Sequence, residues 1–348
     1  MMNNKPFIPV NEPLLNGNEK KYLMECIDTG WISSEGSFVE QFETQFSERV
    51  GRKYGVAVTN GTAALDAAIE ALEIGPGDEV IMPSFTIISC IGQIVRAGAV
   101  PVLIDSDHDT WNMQVSQIEA KITSRTRAIM VVHIYGLPVD MDAVMALARK
   151  YDLRVLEDAA EMHGQTYRGQ PCGSFGDVSI FSFYPNKHIT TGEGGMIVTN
   201  SHSLAERCRG LRNLCFQADS RFVHKSLGWN LRMTNLQAAI GVAQLERLDE
   251  FVGRKRQMGK RYTELLSGLE GVQLPLPSTD YAENIYWVFG IVLDESRGTD
   301  AKTVQKALAA EGIGCRPFFC PMHQQPVLCE HGLFKDEVYP EADRLYKQ

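Results

Sequence analysis

The 348-residue sequence has no excess of basic residues, no CxxC pair and no apolar run long enough to cross a bilayer. Acidic residues outnumber basic ones by 43 to 34, for a formal net charge of −9. A general grip on nucleic acid is therefore excluded, because phosphate backbones need a basic surface. A small phosphorylated ligand, which a few local donors can hold, is not. The eight cysteines (Cys26, Cys90, Cys172, Cys208, Cys215, Cys315, Cys320 and Cys329) show no zinc-ribbon spacing. They read as reduced, mostly buried thiols of a cytoplasmic protein. No His/Cys/Asp cluster has metal spacing, so no catalytic metal is expected. The opening MMNNKPFIPVNEP lacks the apolar stretch of a signal peptide.

What is present is ordinary globular material, 44% hydrophobic and 22% charged, in a length that suggests roughly two domains. Apolar spacing predicts a helix over Asn18–Asp28, a loop GWISSEGS at Gly30–Ser37, and a second helix using Phe38, Phe42, Phe46 and Val50. From Tyr54 to about Thr199, short β-branched runs such as GVAVT, DEVIMPS, VPVLID, RVLEDA and GMIVTN alternate with helical stretches. Continuous apolar strands between helices mean an α/β fold, a mostly parallel sheet covered on both faces. Thr234–Leu269 reads as one long helix, followed by a strand IYWVFGIVL, a helix AKTVQKALAAEGI and a strand GCRPFF. The expected division is a large domain over 1–235, then a connecting helix and a small α+β domain over 236–348. The polar end of the chain shows no closing element, and the C-terminus is expected to be truncated.

Three segments carry chemistry. In FSFYPNKHITTGEGGM, Lys187 lies between an aromatic strand and a Gly-rich turn. Most lysines are surface charges, but few reasons exist to expose one here, and a desolvated lysine can form a Schiff base with an aldehyde. In RVLEDAAEMHG, Asp158 falls at a strand's C-terminal end, where open α/β sheets bind ligands. It could face a heterocyclic nitrogen or merely cap a helix. In VAVTNGTAALDAA, the turn Asn60-Gly61-Thr62 leads from strand to helix. It is either a phosphate site at a helix N-terminus or plain capping.

The order of these segments, with GDEVIMPSFT, PVLIDSD, VHIYGLPVDMDAV and GWNLRMTNLQAAIGVAQLERLDEF, resembles the DegT/DnrJ-type sugar aminotransferases of pyridoxal phosphate (PLP) fold type I. The resemblance covers nearly the whole chain. Its wording is nearest to members that aminate a GDP-linked 4-keto-6-deoxy sugar for O-antigen polysaccharide. It implies a central sheet with helices on both faces, PLP as cofactor, L-glutamate as donor and a nucleotide sugar as acceptor. It also implies a homodimer with shared active sites, with no nucleic acid or membrane partner. Lys187 matches the Schiff-base lysine, Asp158 the partner of the pyridine nitrogen, and Glu161 a Gln/Glu on the cofactor's hydroxyl side. Gly61, Thr62, the Ala63 N–H and Ser182 match phosphate contacts, and Asn230 a residue reaching the neighbouring subunit's phosphate. Ile87 stands where many members place an aromatic over the ring, a departure that weakens stacking. Trp31, Ser33, Ser34, His163, Arg316 and His323 fall where the family lines its sugar cleft. Some relatives carry histidine in place of the lysine and dehydrate the sugar; NKHITTGEGG aligns without gaps and leaves Lys187 in that place, with His188 after it.

Outside these segments, His133 reads as a satisfied core histidine, Trp111 as a packing residue, and GRKRQMGKR as a solvated helix face.

Overall fold

The computed structural model describes residues 6–217 and 219–348. Seven of the apolar runs form one sheet, from strands β1 (Tyr54–Val58), β2 (Glu79–Pro83), β3 (Val100–Ile104), β4 (Thr126–Val132), β5 (Arg154–Asp158), β6 (Val178–Ser182) and β7 (Gly195–Thr199). Their order is β1-β7-β6-β5-β4-β2-β3. The β6–β7 and β7–β1 pairs are antiparallel and the others are parallel. The register sets Val132 beside Asp158 and Asp158 beside Ile180.

Side chains alternate across the sheet, and both faces are buried. Leu156, Val178, Ile180 and Ile197 face a core with the helices α3 (Gly61–Ala71) and α4 (Ile88–Arg96). Val155, Phe181, Met196 and Val198 face a second core with α2 (Ser37–Arg49), whose Phe38, Phe42 and Phe46 are buried as expected. The helix α1 (Glu19–Thr29) precedes it.

Adjacent carboxylates on β5 therefore point in opposite directions. Glu157 sits in the second core and accepts hydrogen bonds from His133 Nε2 (3.1 Å), the Phe175 and Gly176 N–H groups (3.0 and 3.2 Å) and Ser179 Oγ (3.0 Å). Burial alone would raise its pKa; the His133 and backbone donors hold it below the usual carboxylate range. His133 is the satisfied core residue expected, since its Nδ1 accepts from the Val139 N–H.

The second half departs from expectation in five places. The long helix is two, α5 (Asn235–Leu245) and α6 (Leu248–Leu266). The break lets Ala238, Ala239 and Val242 pack with α1 and α2 while Leu248, Phe251 and Val252 bury their own face. Of IYWVFGIVL only Val292–Leu293 is strand, paired with Val272–Gln273, because Trp287 and Ile285 are drawn into the two cores flanking the sheet and Tyr286 takes a left-handed φ of 49°. GCRPFF forms no strand; Pro317 offers no N–H to a ladder, and only Ile313 bridges, to Ile8. The chain's last residues form a helix, Pro340–Lys347, which buries Ala342 and Leu345 and is capped by Asp105 at the end of β3. The basic stretch on α6 is not wholly solvated: Lys255 Nζ reaches Asn11 Oδ1 (2.8 Å) and the Trp287 carbonyl (3.2 Å). The helix expected over AKTVQKALAAEGI forms at Ala301–Ala310, three residues shorter than read. All eight cysteines are free, five of them buried.

Candidate active site

A cleft of 720 Å³ opens at the C-terminal ends of β4, β5 and β6 and the start of α3. The Asn60 side chain accepts the Ala63 N–H at 2.8 Å and caps α3. The Ala63 N–H read as a phosphate donor is therefore already taken; Gly61 and Thr62 are the first-turn residues whose N–H groups have no partner among the described residues. Gly61 is required by close packing, because an added Cβ would lie 2.9 Å from Ser182 Cβ. Ser182 thus stands against the helix start, and Gly61, Thr62, Ala63 and Ser182 share one corner of the cleft. Unpaired N–H groups and a positive dipole end suit that corner to an anion.

Asp158 is buried across the cleft. Its carboxylate accepts from the Ala160 N–H (3.0 Å) and the Cys90 thiol (3.3 Å). Burial raises its pKa, and these two donors offset that only in part. Glu161 accepts the Tyr135 N–H at 2.7 Å, where Tyr135 holds a left-handed φ of 56°. Burial pushes the Glu161 carboxyl up to about 8, against the pull of Lys187. The Lys187 amine lies 3.9 Å from Glu161 Oε1 and 3.8 Å from the centroid of the Trp287 ring. Burial lowers its pKa, and Glu161, Asp158 and Cys90 oppose that. Ile87, at the N-cap of α4, lines the wall with its aliphatic side chain exposed to the cleft.

The structure thus brings together Lys187, Asp158, Glu161, Gly61, Thr62, Ala63, Ser182 and Ile87. Cys90 and Trp287, which sequence reasoning did not select, join them. The other predicted residues lie elsewhere in the chain. Asn230 is exposed, its Oδ1 held by Arg232 at 2.8 Å, outside the cleft. Trp31 and Ser33 belong to a loop whose carbonyls accept from Asn235 at 2.6 and 2.7 Å, and neither they nor Ser34 line the cleft. Arg316 is exposed beside a different, small cavity. His323 is bonded at both ends, Nδ1 to Ser84 Oγ and Nε2 to Asp343 Oδ1, each at 2.8 Å, and so ties β2 to the C-terminal helix.

His163 is the clearest correction. The turn after β5 carries it into the second core, where it packs against Phe46, Phe181 and Phe183 with neither ring nitrogen partnered among the described residues. Burial holds it well below the usual histidine range, and pushes His188 beside it down to about 3. Unfolded histidines take up protons near pH 6.5, whereas these stay neutral in the fold. Their stability penalty is absent above that pH and grows as pH falls toward 3. The expected result is a urea midpoint that declines between pH 6 and pH 4. In His163→Met the decline should be shallower by one proton, about 1.4 kcal/mol per pH unit. An unchanged slope would place His163 in contact with solvent.

A buried carboxylate with no cation within ion-pair distance among the described residues, a desolvated lysine and an anion-binding helix start fit PLP: a protonated ring nitrogen, an aldehyde and a phosphate answer the three in turn. The comparisons agree. The chain is 46% identical over 326 residues to the GDP-perosamine synthase of Caulobacter vibrioides (93% of this chain, 88% of that one). It is 43% identical over 339 residues to the GDP-perosamine synthase of Escherichia coli O157:H7 (97% and 91%). The aminotransferase from Psychrobacter cryohalolentis superposes with a TM-score of 0.90 at 30% identity, covering 98% of this chain and 92% of its own. The model of the DegT/DnrJ/EryC1/StrS aminotransferase family matches residues 13–348. The chain belongs to that family, and it is a PLP-dependent sugar aminotransferase.

Proposed function

We propose that this enzyme moves an amino group from L-glutamate to C4 of a GDP-linked 4-keto-6-deoxy sugar, giving GDP-perosamine, the product that the names of its Caulobacter and Escherichia coli relatives specify. The observation that carries the reading is the facing pair of a buried lysine and a buried carboxylate beside the α3 start, in a chain 43–46% identical to those relatives. Bound PLP supplies an aldehyde to carry nitrogen and a ring to accept electrons. Asp158 holds its charge against the ring nitrogen. Thr62, Ser182 and the first turn of α3 hold the phosphate, and Glu161 sits on the hydroxyl side. Lys187 Nζ takes the proton from the donor's α-carbon and later returns one to the sugar's C4.

A homodimer is part of the proposal. Asn230 lies outside its own cleft on a loop where Phe222, Val223 and Leu227 are exposed, which suits a residue that serves a neighbouring copy. Residues 1–235 would hold the cofactor and 236–348 form the smaller domain.

The test is a panel of GDP-, UDP- and dTDP-linked 4-keto-6-deoxy sugars with L-glutamate, read by mass spectrometry. The GDP sugar should give an amino sugar and one equivalent of 2-oxoglutarate with the highest kcat/KM. A deoxygenated product without nitrogen would make the enzyme a dehydratase, and preference for UDP or dTDP would remove perosamine.

A further inference from the structure

We propose that the indole face of Trp287 is the seat of the free Lys187 amine, a positioning contact that keeps this amine inside the cleft whenever it is not bonded to the cofactor and stabilises its cation between the uptake of a proton and its return. The amine stands 3.8 Å from the ring centroid, well within cation–π range. The ring cannot drift from it. The indole N–H donates to the carbonyl of Asn186, the residue before Lys187, at 2.8 Å. The Tyr135 ring backs Trp287 at 5.9 Å, and Trp287 is only 6% exposed.

The seat answers a problem set by the rest of the pocket. Burial favours a neutral amine. The groups facing Lys187 are Glu161 and Asp158 in the cleft, the buried Cys90 bonded to Asp158, and His163 and His188. The nearest carboxyl, Glu161, is itself pushed up by burial to about 8, so its attraction fades when it takes up a proton. The negative face of an indole does not titrate, and its pull on a cation is the same at every working pH.

The inference rests on Lys187 being the cofactor lysine, and the test separates the two. In cofactor-free protein, trace acetylation over a pH series with peptide mass spectrometry gives the titration midpoint of Lys187. Among the described residues Trp287 is the one tryptophan with a cation over its ring, so replacing all tryptophans by fluorinated analogues weakens this contact without changing its shape. The Lys187 midpoint should fall stepwise with each added fluorine. It should fall by about half a unit to one and a half units in Trp287→Leu, and by less in Trp287→Phe. A midpoint unmoved across the fluorinated series overturns the seat, whether or not Trp287→Leu folds. Adding PLP should protect Lys187 from acetylation; labelling that continues unchanged would overturn the assignment of Lys187, and the seat's role with it.

Discussion

Lys187→Ala should cut turnover by at least about 10³-fold while the protein still takes up part of its PLP. The two effects separate because the residues responsible are separate. The phosphate corner (Gly61, Thr62 and Ser182) and Asp158 sit on α3, β6 and β5, and none of them is held in place by the Lys187 side chain. What the variant loses is the one amine lining the cleft among the described residues, a loss worth roughly 10²–10⁴ for general acid–base catalysis, together with covalent anchoring. Single-turnover mixing with glutamate, read as bleaching of the cofactor's visible band, measures the first effect. Retained absorbance after gel filtration measures the second. Added methylamine should restore part of the rate by entering the vacated space. A variant that transaminates at the original rate would show that Lys187 is not the proton carrier.

Asp158→Asn should lower turnover by about 10²–10³-fold, the scale for loss of one preorganised charge at a reacting centre. The substitution keeps size and leaves an oxygen for the Ala160 N–H, so the thermal midpoint should move little. What disappears is a negative charge that the protein keeps buried without a cation of its own. Burial raises the pKa of Asp158, and a positively charged ring nitrogen is the partner that would bring it down again. Cofactor binding should therefore tighten Asp158 in the original protein and fail to do so in the variant. Equilibrium dialysis of PLP and the glutamate half-reaction read the two losses separately. Unchanged half-reaction rates would leave Asp158 a structural cap, the alternative that its position after a strand also allows.

The chemistry that local sequence could carry was legible there. A strand's end, a capped turn and a lysine before a Gly-rich turn are each written in fewer than ten residues, and the sheet that converges them follows from alternating apolar runs. Contacts across the chain were not. Cys90 is one apolar-looking residue in a helix and meets Asp158 only through packing of α4 on the sheet. Trp287 sat in a run whose apolar alternation looked like a strand, yet the ring serves Lys187, a hundred residues earlier. His163 failed for a geometric reason: Ala160 and Glu161 line the cleft, but the turn they start reverses direction and sends the ring two residues later under the sheet. His323 failed because a histidine near a cleft looks the same in sequence whether its nitrogens face substrate or are spent on Ser84 and Asp343.

The opposed carboxylates of β5 reach further than stability. If that strand slid by one position, the acid that serves the cleft and the acid that serves the far core would exchange faces. Glu157 meets donors from the residue that follows β4, from β6 and from the loop before β6, a socket that Asp158, shorter by one methylene, would fill poorly. The far side of the sheet therefore works as an index mark: it fixes which acid the cofactor meets, and damage there should read out as a chemical defect before it reads out as unfolding.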